Sequence, residues 1–149
     1  MAGPLVDIRD LRVLFHGDDG RTTHAVDRVD LSVANGATLG LVGESGCGKS
    51  VTNLAVMRLL PKPAGRIEGG QILFEDEDLV SLDEAAMRDL RGKELAMIFQ
   101  DPMTSLNPVL TIEEQMVETI QAHRQTAHKE ARARAVELLV VAGPVNGAR

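Results

Sequence analysis

Eight consecutive residues, Gly43-Glu44-Ser45-Gly46-Cys47-Gly48-Lys49-Ser50, constrain the fold more than any other part of the chain. They fit the pattern Gly-x-x-x-x-Gly-Lys-Ser/Thr. A short apolar run without alternation, residues 37–42, precedes them, as expected of a strand buried on both faces. Helical spacing follows over residues 49–60, with Val51, Leu54, Ala55 and Leu59 on one side and Pro61 and Pro63 to stop it. Strand, glycine loop and helix in that order aim successive backbone N–H groups inward and put the positive end of the helix at the loop. Such a cradle suits phosphate. Lys49 would reach β- and γ-phosphates, and Ser50 would offer a hydroxyl to Mg2+.

Composition limits what surrounds this loop. A length of 149 residues suggests about one domain. With 44% apolar and 26% charged residues, the chain is no disordered segment, collagen or coiled-coil rod. Its net charge of −6 and the lack of any Lys/Arg run argue against a nucleic-acid binder. The acidity is no objection to a phosphate site, because local N–H groups and Lys49 set the field there. Apolar stretches such as 138–142 fall far short of the roughly 18 residues a membrane span needs, so no transmembrane segment is expected. Residues 1–15 mix Asp and Arg among apolar positions, unlike a signal peptide. The single cysteine cannot form an internal disulfide, which fits a reducing compartment.

Before the loop, residues 6–15 read as a strand with a kink near Asp10, and Gly17 to Gly20 as a turn. Residues 26–33 read as a cleanly alternating second arm of a hairpin, and Asn35-Gly36 as a turn. After the loop, Gly69-Gly70 precedes a predicted strand at 71–75, and residues 83–90 form a short helix with acidic residues in its first turn. Residues 95–99 are a compact apolar run, a predicted buried strand, and 100–108 are a loop. Thr111 and Glu114 make a capping box that opens a helix to about His123. A final helix covers 129–141 and ends at Gly143-Pro144. Residues 79–84 imitate an apolar run followed by an acid, but Ser81 and the helical continuation read otherwise. Cys47 reads as chemically incidental, and His16, His24, His123 and His128 as solvated, without metal spacing.

The glycine loop alone does not select a family. No Asn is followed by Lys, as a guanine-reading Asn-Lys-x-Asp motif requires, and about 35 residues of strand and hairpin come first, unlike small-molecule kinases. A two-strand N-terminal layer, Gly-Glu-Ser-Gly-Cys-Gly-Lys-Ser, a helix, and then Phe99-Gln100-Asp101-Pro102-Met103-Thr104-Ser105-Leu106-Asn107-Pro108 together resemble an ABC-transporter ATPase subunit. The string after Phe99, with Ser50-Val51-Thr52 and Met57-Arg58-Leu59-Leu60-Pro61, is similar to the oligopeptide, dipeptide and nickel importer subfamily. The likeness covers roughly residues 5–143.

The resemblance implies an α/β fold of the P-loop NTPase type, with an N-terminal antiparallel β layer and an incomplete core sheet. It divides the chain into that layer (1–36), phosphate loop to glutamine loop (37–108), the start of a helical subdomain (109–143) and a divergent tail (144–149). It implies ATP and Mg2+ as ligands. Gly43, Glu44, Ser45, Gly46, Cys47, Gly48, Lys49, Ser50 and Val51 would hold nucleotide. Phe15 would stack on adenine, with His24 a weaker rival, and simple strand packing is the other reading of Phe15. Gln100 would touch Mg2+ or the attacking water, beside Ser50 on the metal, since an amide both donates and accepts. The partners implied are a second ATPase subunit and two membrane permeases at the cytoplasmic membrane face. The family's signature, Walker B strand and switch histidine are not among the 149 residues, so the chain reads as a truncated N-terminal part without turnover of its own. Other readings are a non-catalytic nucleotide- or permease-binding fragment and a remnant without function.

Overall fold

A computed structural model describes residues 3–17, 19–99 and 106–143. The chain forms two compact units, Met1–Arg91 and Gly92–Arg149.

The first unit is built on two long strands, β1 (Val6–His16) and β2 (Thr22–Val33), closed by a turn in which Gly17 N–H donates to Arg21 O at 2.8 Å. In β1 the apolar parity switches: Val6 and Ile8 are even, Leu11 and Val13 odd. One extra residue must be absorbed if all are to face one side. Asp10 absorbs it, at φ 48°, and its N–H donates to Asp30 Oδ1 at 2.8 Å. The kink expected near Asp10 is this bulge. The same logic corrects the clean alternation expected of β2. Val26 and Val29 stand three apart, and Arg28 takes the extra residue at φ 54°.

Strand β3 (Gly65–Phe74) pairs with the other side of β1, and β4 (Glu77–Asp78) with β3, so the antiparallel order is β2-β1-β3-β4. β3 starts earlier than its sequence suggests and runs through Gly69-Gly70. Gly70 sits at φ 90°, and a Cβ on it would overlap the carbonyls of Arg9 and Asp10, so the glycine makes room for the bulge in β1. Ile8, Leu11, Val13, Ile72, Leu79 and Met87 are buried in this unit.

Helix α1 (Lys49–Val56) lies beside β1 and β2. It ends four residues before its apolar spacing predicts. Arg58 turns left-handed at φ 51°, Leu59 N–H reaches back to Leu54 O at 2.8 Å, and Leu59 is exposed rather than on the buried side. Helix α2 (Glu84–Leu90) is capped by Asp83, whose side chain accepts from Ala86 N–H at 2.8 Å.

Two expected strands are not strands. Residues 37–42 and 95–99 are irregular, with Val42 and Ile98 each 97% exposed. An isolated strand satisfies none of its ladder hydrogen bonds, so apolar content alone does not hold it extended. The reading of 79–84 as something other than a strand before an acid agrees with the turn found there, in which Ser81 N–H donates to Asp78 O at 3.1 Å.

The second unit contains α3 (Ile112–His123) and α4 (His128–Ala142). Val117, Ala131 and Ala135 are its buried centre, with Met116 and Ile120 packed on them. The capping box is present: Thr111 N–H donates to Glu114 Oε2 at 2.8 Å, and Glu114 N–H to Thr111 Oγ1 at 3.2 Å. Gly143 caps α4 through its N–H to Leu139 O at 2.8 Å.

Candidate functional site

The glycine loop leads straight into α1. Gly46 and Gly48 both sit in the left-handed region, at φ 82° and 92°. Gly48 is the N-cap of α1 and has no side chain to satisfy the first-turn N–H groups. No acidic residue stands in that first turn either. The helix end therefore presents uncompensated donors and partial positive charge. Two positions of the loop are crowded. A Cβ on Gly48 would come within 2.6 Å of Ala25 O, and one on Gly43 within 2.6 Å of Cys47 Sγ. A Cβ on Gly46 would meet nothing within 4 Å, so only its backbone angle needs glycine.

Lys49 folds back over its own loop. Its Nζ donates to Gly43 O and to Glu44 O, both at 2.7 Å, and stands 3.4 Å from Cys47 Sγ. The loop is tightened by Cys47 N–H to Glu44 O at 3.4 Å. An ammonium held by two neutral carbonyls can trade those partners for stronger anionic ones. Glycine backbone, a bare helix end and this ammonium are the donor set that an oligophosphate requires, so the residues present fit one.

Residues Gly43, Glu44, Ser45, Gly46, Cys47, Gly48, Lys49, Ser50 and Val51 are thus brought together in one turn and the start of α1. Phe15 lies on β1, half-buried, with its ring edge over Gly65: a Cβ on that glycine would come within 2.9 Å of Phe15 Cε1. Gln100 and the 101–105 string lie outside the described residues, as do the tail 144–149 and Asp18 of the first turn. Sequence reasoning missed two supports of the loop. Thr52 is buried and its hydroxyl donates to Gly48 O at 3.0 Å, and the Ala25 carbonyl backs Gly48. Thr52 had a legible signal, a hydroxyl four residues after the glycine, the spacing of a bond back to the preceding turn. Ala25 had none, because its role is a backbone contact.

The family model described as ABC transporter matches residues 26–142, and the chain belongs to that family. It is 47% identical over 135 residues to the probable peptide ABC transporter ATP-binding protein y4tR of Sinorhizobium fredii, covering 91% of this chain and 40% of that protein. It is 48% identical over 140 residues to the peptidoglycan transport ATP-binding protein YejF of Agrobacterium fabrum, covering 94% and 26%. With the oligopeptide transport ATP-binding protein OppD of Bacillus subtilis the identity is 46% over 139 residues, covering 93% and 38%. The chain therefore spans between about a quarter and two fifths of the length of these curated relatives. Among solved structures, the dimeric ABC transporter cassette MJ0796 superposes with a TM-score of 0.78 at 22% identity, covering 92% of this chain and 56% of that one. The fold is that of an ABC-type ATPase cassette in part, an antiparallel layer with helices and an open sheet. Family membership carries nucleotide binding with it.

Proposed function

We propose that the chain is the nucleotide-binding part of an ATPase subunit of a peptide-type ABC importer. The observation that carries this reading is the phosphate loop: left-handed Gly46 and Gly48, an uncapped α1, and Lys49 Nζ held at 2.7 Å by two loop carbonyls. The 46–48% identity to proteins named for peptide, oligopeptide and peptidoglycan transport supports the cargo class.

On this reading ATP is bound as follows. N–H groups of the loop and of the first turn of α1 receive the phosphate oxygens, and Lys49 leaves its carbonyls for the β- and γ-phosphates. Ser50 and Gln100 would hold Mg2+, which when bound would supply charge neutralisation to the phosphates. Phe15 would lie against the adenine, a contact worth about 1–3 kcal/mol. A second ATPase subunit would face the loop, and two permeases would dock near the Gln100 string at the cytoplasmic face of the membrane. The 149-residue polypeptide by itself would bind nucleotide without turning it over, because a carboxylate to polarise water and a facing signature are needed together.

A thermal melt with and without Mg-ATP tests the reading. At a ligand concentration about a hundredfold above Kd, binding adds about 2.7 kcal/mol. A cooperative melt that rises by several degrees with Mg-ATP, and not in Lys49→Ala, is expected. A melt indifferent to Mg-ATP in both proteins overturns nucleotide binding by this polypeptide.

A further inference from the structure

Positive charge also gathers away from the phosphate loop. A cleft of about 220 Å3 opens between the residues after α1, the start of β3 and the first turn of α2. Three cations, Arg58, Lys62 and Arg66, line it against one carboxylate, Glu84, in a chain whose net charge is −6. Leu60, Ile67 and Val80 form an apolar wall.

Arg58 is fixed in place. Its Nη1 donates to Leu82 O at 2.6 Å and Leu79 O at 3.2 Å, and its Nη2 stands 3.9 Å from Glu84 Oε2. Glu84 is already engaged by Arg91 at 2.6 Å, and Arg91 is anchored by Nε to Met57 O at 2.8 Å. The Glu84 carboxyl is held below the usual carboxylate range, by Arg91 first and then by Arg58 and Lys62. One anion is thus shared among three cations. Lys62 and Arg66 are exposed, and among the described residues neither takes part in an ion pair. Surplus cationic donors over an apolar wall select an anion with an apolar body. The volume equals about seven waters at roughly 30 Å3 each, enough for a phosphate and a few carbons. Guanidinium and ammonium together suit phosphate, the first as a fixed fork and the second as a point charge that adjusts.

We propose that this cleft binds a phosphate monoester carrying a short apolar group, at a site separate from the phosphate loop. A free ester and a phosphatidic-acid headgroup offer the same chemistry.

The test titrates n-butyl phosphate, inorganic phosphate and vesicles with or without phosphatidic acid into the Lys49→Ala chain, so that the phosphate loop does not contribute. Resonances of Ile67 and Val80 and the heat of binding are followed. Butyl phosphate is expected to saturate, to bind more tightly than inorganic phosphate, and to weaken about tenfold or more when Lys62→Ala and Arg66→Ala are added. Glu84→Gln is expected to tighten it severalfold. Binding confined to phosphatidic-acid vesicles, with the same dependence on Lys62 and Arg66, supports the site with a lipid as its source. Lys62 and Arg66 are exposed, so their removal leaves the fold intact. Binding unaffected by their loss, or no saturable binding of any probe, overturns the proposal.

Discussion

At the scale of single residues, the two left-handed glycines of the phosphate loop are under different constraints. Gly46→Ala meets open space and incurs only the left-handed penalty, about 1–2 kcal/mol for an L-residue. Gly48→Ala incurs that penalty and also drives a Cβ to 2.6 Å from the Ala25 carbonyl, a backbone atom that cannot rotate away. Thermal melts of the two variants are expected to rank Gly48→Ala clearly below Gly46→Ala. Equal melts would mean that the loop and β2 separate at little cost. The type and spacing of the loop residues were legible in the sequence because glycine, lysine and serine each carry chemistry of their own. Thr52 and Ala25 were not singled out, since what they supply is a bond to, or a contact with, the backbone of Gly48. Of the two readings of Phe15 given by sequence, the structure bears on the packing one: the half-buried ring lies against Gly65.

At the scale of elements, local chemistry predicted boundaries well where a side chain closes the element, and poorly where the backbone does. Thr111 and Glu114 fix the start of α3 through reciprocal bonds, and the spacing that showed this is visible in four letters. The end of α1 is set instead by Arg58 adopting φ 51°, which no preference of arginine announces. The parity switches in β1 and β2 belong between these cases: a count of apolar positions requires a bulge, and the structure places it at Asp10 and Arg28. The capping box carries a pH prediction. The Glu114 carboxyl is held below the usual range by the Thr111 backbone N–H first and its hydroxyl second. A carboxylate whose folded value is depressed contributes stability that is present above its unfolded value and is lost as pH falls through the folded one. Helicity of the second unit is therefore expected to decline on acidification from about pH 6 to about pH 3, and to decline less in Glu114→Gln. Thr111→Ala is expected to destabilise α3 by about 1 kcal/mol at neutral pH, as loss of an N-cap does. Circular dichroism across the pH range checks both, and identical acid profiles for the native chain and Glu114→Gln would remove the box from the explanation.

At the scale of the whole molecule, most apolar residues that sequence assigned to buried strands lie in the open, while Leu95 is buried. Residues 37–42 and 95–99 have strand-like composition, yet among the described residues the sheet is the antiparallel β2-β1-β3-β4 and neither segment belongs to it. The cassette of known structure onto which the chain superposes is matched over only 56% of its length, so that fold contains much that these 149 residues do not supply. Sequence composition reports what a segment can do when it has neighbours, and the structure reports what it does with those at hand. Exposed apolar segments of this kind, outside the sheet, are a template for association between chains. The isolated 149-residue polypeptide is therefore expected to self-associate as its concentration rises, measured by sedimentation velocity. Val42→Asp and Ile98→Lys, made together, replace two side chains that are each 97% exposed. Having little packing to lose, they are expected to alter stability by no more than about 0.5 kcal/mol while shifting the sedimentation profile toward monomer. A fall in the melting temperature of several degrees would show that these side chains are packed in solution. Association that persists with an unchanged melt would move the adhesive surface to the end of α4, where Val140 and Val141 are also exposed.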